Sequence, residues 1–213
     1  MLVVIDYGAG NLRSVLHALR HLGMENVRLA HRPEDLEGAT KLILPGVGAY
    51  GAGMQALHGQ GLVQPIRDAV QQGIPYLGIC LGMQFLFDFS DEMGHHEGLG
   101  ILPGHVTRFE NHPDLKVPHM GWNTIDVKRN SALTANLPDP GYAYFVHSYY
   151  CVPSEASDVL ATVNYGLDFC VAVERNTIFG VQFHPEKSQT TGLQVLRNFL
   201  SLPDGPEYGG KTA

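Results

Sequence analysis

The sequence predicts an α/β fold: a mostly parallel central sheet flanked by helices, with antiparallel strands added to it. Three observations carry that expectation. Early in the chain, short apolar runs alternate with segments whose apolar residues recur at helical spacing, the pattern of βαβ units. From Val106 to Gln182 the segments are short, rich in Val, Thr, Tyr and Phe, and broken by Pro, Asn and Gly, which reads as hairpins. No internal repeat or long linker divides the 213 residues, so residues 1–201 are expected to form one domain.

The elements follow in order. Leu2-Val3-Val4-Ile5 reads as a first buried strand; it meets Asp6 too soon to be a signal peptide or a membrane span. Leu12, Val15, Leu16, Leu19 and Leu22 line one face of a helix that Gly23 stops. Val27 to Leu29 and Lys41 to Leu44 are strands, the second running into Pro45-Gly46-Val47-Gly48. Val63, Ile66, Ala69 and Val70 mark a helix closed by Gly73. Ile74 to Leu77 leads as a strand into Gly78-Ile79-Cys80-Leu81-Gly82, and Met83 to Phe87 looks helical. Asp91 to Gly104, rich in Gly, His and acids, reads as a surface loop. Ile178 to Phe183 is the last strand, and Leu193, Leu196, Phe199 and Leu200 form the apolar face of a closing helix. Residues 202–213, heavy in Gly and Pro, are expected to be a flexible tail.

A formal charge of −7 with no basic run excludes electrostatic capture of nucleic acid, so small-molecule substrates and protein partners are expected. The three cysteines, Cys80, Cys151 and Cys170, form no CxxC pair and read as reduced thiols of a cytoplasmic protein. His95, His96, His105 and His112 invite a metal reading, but their spacing fits no zinc site, and they read as solvated loop residues. Asp6-Tyr7-Gly8-Ala9-Gly10 lacks the third glycine of a dinucleotide loop and reads as a turn. Neither a metal nor a cofactor is expected.

One pair of motifs carries chemistry. Cys80 sits between a strand and a helix, flanked by Gly78 and Gly82, as in a nucleophile elbow with sulfur in place of oxygen. A thiolate is the attacking form, and free cysteine ionises only near about 8.5, so a helix N-terminus and a nearby imidazolium would both help. Far downstream, His184 and Glu186 flank Pro185; on an extended chain they would face the same way, letting the carboxylate orient the ring that serves Cys80. The N–H of Leu81 is one oxyanion donor. The N–H of Val47, between two glycines that would let its peptide reorient, is a second and conditional one. Taken singly, a cysteine is more often a core residue and an HPE triplet a strand-end turn; it is their order and setting that argue for a site.

These motifs resemble those of the triad-type, or class I, glutamine amidotransferases: Pro45-Gly46-Val47-Gly48, Gly78-Ile79-Cys80-Leu81-Gly82-Met83-Gln84 and His184-Pro185-Glu186. Pro118 to Asn123, Tyr144 to Tyr149 and Phe183 to Ser188 narrow the resemblance to the glutaminase subunits of imidazole glycerol phosphate synthases, over about residues 1–201. The resemblance implies a class I amidotransferase fold with a flavodoxin-like core. It implies glutamine hydrolysis through a Cys80 thioester, with Gly46, Gly48, Gln84, His147, Ser148 and Tyr149 binding glutamine. It also implies delivery of ammonia to a (βα)8-barrel cyclase that makes imidazole glycerol phosphate and aminoimidazole carboxamide ribotide, since no acceptor domain remains in the chain. Met120, Trp122, Tyr144 and Lys187 are the expected docking face, although Trp and Met more often fill cores and Lys is more often solvated. Other readings stay open: a glutaminase for anthranilate or pyridoxal phosphate synthesis, a stand-alone cysteine hydrolase, and a non-catalytic binding module.

Overall fold

The computed structural model describes residues 1–110 and 115–209. His112 and the last four residues of the expected tail lie outside the described residues. The chain begins β1 (Leu2–Ile5), α1 (Leu12–His21), β2 (Arg28–Ala30), β3 (Lys41–Gly46), α2 (Tyr50–Gly59), α3 (Val63–Gln71), β4 (Tyr76–Cys80) and α4 (Leu81–Gln84). It continues with β5 (Phe89–Ser90), β6 (His96–Glu97), β7 (Gly104–Arg108), β8 (His119–Val127), β9 (Gly141–His147) and β10 (Tyr149–Pro153). β11 (Val159–Asn164), β12 (Asp168–Arg175), β13 (Ile178–Val181) and α5 (Gln189–Ser201) complete it.

One sheet runs in the order β2-β1-β3-β4-β13-β12-β10-β7-β5-β6. From β2 to β13 neighbouring strands are parallel, as the βαβ pattern predicts, and β12, β10 and β7 add on antiparallel. β11 pairs β12 and leads through β8 to β9, whose hairpin projects from this path. The parallel strands read as unbroken apolar runs because helices cover both their faces. Along β1, Val3 and Ile5 join the core under α2 and α3, whereas Leu2 and Val4 pack with α1 and α5.

The structure corrects several expectations. α2 was not legible because glycines break its apolar pattern: a Cβ on Gly53 would stand 2.5 Å from the Phe85 ring, so the helix needs glycine to lie there. The helix after Cys80 starts at once, at Leu81 rather than Met83, and has only four residues. β2 begins one residue later than the apolar run suggests. The expected loop at 91–104 holds β6 and buries Leu99 and Leu102. Pro203 to Gly209 does not fray: Gly205 N–H donates to Thr40 O, Tyr208 N–H to Ala39 O, and Asp204 pairs with Lys41 at 2.6 Å.

The tightest contact is at the turn from β4 to α4. A Cβ on Gly82 would lie 1.8 Å from the Leu44 carbonyl oxygen of β3, and one on Gly78 would lie 2.4 Å from Gly82 O. Both opposing atoms are backbone, so no rotamer change relieves the clash. Gly82→Ala should therefore cost about 3 kcal/mol or more, read from the urea midpoint. Gly23→Ala, where φ is +87° and nothing lies within 4 Å, should cost only about 1 kcal/mol. Equal losses at the two positions would refute the contact as the cause.

Candidate active site

Cys80 ends β4 with φ 54° and ψ −108°, a left-handed backbone that a non-glycine residue holds only when its surroundings fix it. The turn lifts its side chain out of the sheet plane at the C-terminal ends of the parallel strands, where open α/β sheets place their sites. Gly46 of β3 pairs with Cys80 on one side, and Ile79 pairs with Val181 of β13 on the other. A cavity of about 350 Å³ opens there, lined by Val47, Gly48, Cys80, Leu81, Gln84, Glu92, Pro118, Val146, His147, Ser148, Tyr149 and His184.

His184 Nδ1 lies 2.9 Å from Glu186 Oε1, both side chains being almost wholly buried. The pairing is made differently from the way the spacing suggested. β13 ends at Val181, and Pro185–Lys187 form one turn of 3-10 helix, so the carboxylate reaches the ring across a turn and not along a strand. Burial alone would push His184 down, but the Cys80 sulfur and the Glu186 carboxylate together raise it to about 10. Its Nε2 is coupled to Cys80 without a formed hydrogen bond, and Glu186 Oε2 is also buried without a partner. The backbone that carries the ring is held as well. His184 N–H donates to Tyr144 O, and the Ser188 hydroxyl donates to His184 O while accepting from Tyr144 N–H.

The oxyanion donors differ in readiness. Leu81 starts α4 immediately after Cys80, but a four-residue helix supplies its local N–H groups and not the summed dipole of a long one. Val47 lines the cavity, yet its N–H acts on the hydroxyl of Tyr7, lowering an ionisation that burial raises strongly. That hydroxyl is buried and has no hydrogen bond of full geometry. Gly48, at φ +99°, leaves the Val47 segment able to turn. Gly46 stands behind the wall, where a Cβ would meet the Tyr7 hydroxyl at 2.5 Å, and does not line the cavity.

A second network fixes the opposite wall. The Tyr149 carbonyl accepts from His147 Nδ1 at 2.8 Å and from Gln84 Nε2 at 3.1 Å. His147 Nε2 must then be the acceptor from His119 Nδ1 at 3.0 Å, and His119 Nε2 the acceptor from Asn123 Nδ2 at 3.3 Å. His147 therefore has no ring nitrogen free for a ligand. The Ser148 carbonyl is likewise taken, by Phe109 N–H. Burial lowers His119 to about 4 and His147 to about 3.

Glu92, Gln182, Ser188, His119 and Tyr7 are parts of this site to which the sequence alone assigned no role. Ser188 and His119 carried a signal, as members of the Phe183–Ser188 and Pro118–Asn123 stretches. Met120 and Trp122, of the kind that fill cores, are instead 61% and 49% exposed, on the outer face of the β8–β9 hairpin. Trp122 meets Tyr144 edge-on at 6.0 Å, and Lys187 sits 5.8 Å over the Tyr144 ring, so this lysine is not simply solvated. His95 and His105 pack against Phe89. Among the described residues no three His, Cys, Asp or Glu side chains gather as for a metal, and no helix is long and apolar enough to cross a membrane.

The histidines set opposite pH windows. His119 and His147 are neutral when folded but protonate near about 6.5 when unfolded. Their contribution is present above that value and is lost as pH falls towards about 4 and 3, by up to about 1.4 kcal/mol per pH unit for each proton taken up. His184 contributes fully below about 6.5, and its share is lost as pH rises through about 10. Urea unfolding should show lower stability at pH 5 than at pH 7; equal midpoints would contradict the neutral pair. In Cys80→Ala the His184 ring should titrate lower, as followed by imidazole NMR.

The chain is similar to known proteins over nearly its whole length. The sequence profile described as glutamine amidotransferase class-I matches residues 3–202. An imidazole glycerol phosphate synthase subunit HisH of Chlorobaculum tepidum is 50% identical over 203 residues, covering 95% of this chain and 100% of that relative. The protein of the same name from Syntrophotalea carbinolica is 50% identical, covering 93% and 98%. A crystal structure described as a glutamine amidotransferase shares the fold, with a TM-score of 0.74 at 24% identity over 94% of this chain and 97% of that one. With a strained cysteine turn, a carboxylate-held histidine beside it and a profile match across the domain, the chain belongs to the class I glutamine amidotransferases.

Proposed function

We propose that this chain is the glutaminase subunit of an imidazole glycerol phosphate synthase, working in the cytoplasm with a (βα)8-barrel cyclase. The observation that carries the chemistry is the buried His184, held by Glu186 on one nitrogen and coupled to the Cys80 sulfur beside the cavity. The choice of acceptor is supported by the similarity to proteins bearing that subunit name.

In this reading the Cys80 thiolate attacks the side-chain amide carbon of glutamine, and the developing oxyanion is met by the Leu81 N–H. The tetrahedral intermediate collapses; the C–N bond breaks, and the nitrogen leaves as ammonia with the proton from His184 Nε2. The neutral ring then takes a proton from water, hydroxide adds to the thioester, and the C–S bond breaks to return the thiolate and glutamate, whose new carboxyl group gives its proton to solvent. Glu186 stays ionised throughout and holds the tautomer. Gln84 and Glu92 suit the α-ammonium group, with the Gly48, Ser148 and Tyr149 backbone N–H groups left for the carboxylate. The Val47 N–H joins only after its peptide turns between Gly46 and Gly48, so a partner that turns it raises turnover. Met120, Trp122, Tyr144 and Lys187 form the docking face; the His184–Tyr144–Ser188 hydrogen bonds tie it to the His184 backbone.

Glutamine turnover by the chain alone should be weak and should rise when the cyclase and its nucleotide ligand are added; high activity alone would refute the conditional donor. Cys80→Ser should abolish turnover in either case. Glu186→Gln should lower kcat about a thousandfold with the fold intact. Trp122→Ala should weaken the complex or release ammonia to solvent, and unchanged coupling would remove Trp122 from the docking face.

A further inference from the structure

We propose that Gln182 is a further catalytic residue, whose side-chain amide donates a hydrogen bond to the Cys80 sulfur and stabilises its thiolate at neutral pH. Gln182 is wholly buried, between Val181 and Phe183, both core residues. Its backbone N–H is taken by Val171 O at 2.8 Å, so the strand-end backbone is fixed. Its Nε2 lies 3.6 Å from Cys80 Sγ, an N–H···S distance. An amide buried at such a place is retained only when it is hydrogen-bonded.

The orientation of the amide follows from a chain of partners. The Tyr149 carbonyl can only accept, so the side-chain group of Gln84 facing it is the NH2. The same nitrogen lies 3.0 Å from Gln182 across from it, so Gln182 turns its oxygen to Gln84. Its own NH2 is left to point at the sulfur. Were the Gln182 amide reversed, two NH2 groups would face each other and a carbonyl oxygen would face the thiolate.

A neutral donor suits this sulfur. His184 carries a proton that leaves with ammonia, so the imidazolium cannot support the sulfur at every step. Gln182 gives nothing up, and it can receive the negative charge again when the thioester breaks and the electron pair of the C–S bond returns to sulfur. The inference takes only the identity of the substrate from the glutaminase reading.

The test is alkylation of Cys80 by iodoacetamide in the full chain, followed on its own peptide by mass spectrometry, which needs no glutamine. Gln182→Met keeps the length and removes the donor. Its alkylation should be about fivefold slower than wild type at pH 7 and should converge with wild type at alkaline pH. Gln182→Glu, which turns a carboxylate to the sulfur, should be slower still. In the complex with the cyclase and its ligand, kcat should fall about as much, with KM for glutamine nearly unchanged. An unchanged alkylation profile in a folded Gln182→Met, or an equal loss at every pH, overturns the proposal. If that variant does not fold, the side-chain amide NMR signal of Gln182 in the wild-type protein decides. It should shift when Cys80 is alkylated, and a stationary signal overturns the proposal. Wild-type protein that turns over no glutamine yet shows the alkylation contrast would defeat the glutaminase reading and leave Gln182 in place. Turnover with a flat alkylation contrast would do the reverse.

Discussion

The close approach of α4 to β3 and β4 is the constraint on which the site depends. Because Gly82 has no side chain, the helix backbone can sit against the Leu44 carbonyl, and the chain turns from strand to helix with nothing between. That abrupt turn forces Cys80 into a left-handed backbone and brings it to the cavity at the strand ends. It also decides who the neighbours are. β3 delivers Val47 on one side, and β13, parallel to β4 on the other, delivers Gln182 and His184 a few residues past its end.

A single carbonyl, that of Tyr149, organises the rest. By accepting from both Gln84 and His147 it settles two side-chain orientations, and each settles the next, to Gln182 in one direction and to His119 and Asn123 in the other. The first branch ends on the reacting sulfur. The second ends at the root of the β8–β9 hairpin, whose outer face carries Trp122 and Tyr144. Ser188 adds a separate link from that hairpin to His184. Surface and cavity therefore share backbone atoms and not merely proximity.

How much of this was legible in the sequence follows from how local each cause is. The cysteine turn was legible because its requirements, two glycines and a strand-to-helix boundary, lie within five residues. The partnership of His184 with Glu186 was legible as a pairing, but Pro185 begins a helical turn and the extended geometry imagined for it does not form. Gln182 was hidden because its meaning lies in Cys80 and Gln84, which no periodicity connects to it. α2 was hidden by glycines that serve Phe85 and His96. The docking of residues 203–209 was hidden because backbone hydrogen bonds to Ala39 and Thr40 leave no mark on composition. Exposure of Trp122 could not be read either, since alternation along β8 does not say which face meets the core.

The His119–His147 pair has a consequence for what the cavity can hold. Every proton on it is committed in one direction, and both rings resist a further one until pH falls to about 4 or 3. Ammonia is a stronger base than imidazole and takes a proton from any ready acid it meets. A wall whose histidines are hydrogen-bonded but not acidic is proton-silent, so ammonia set free beside His147 meets no ready acid on that side.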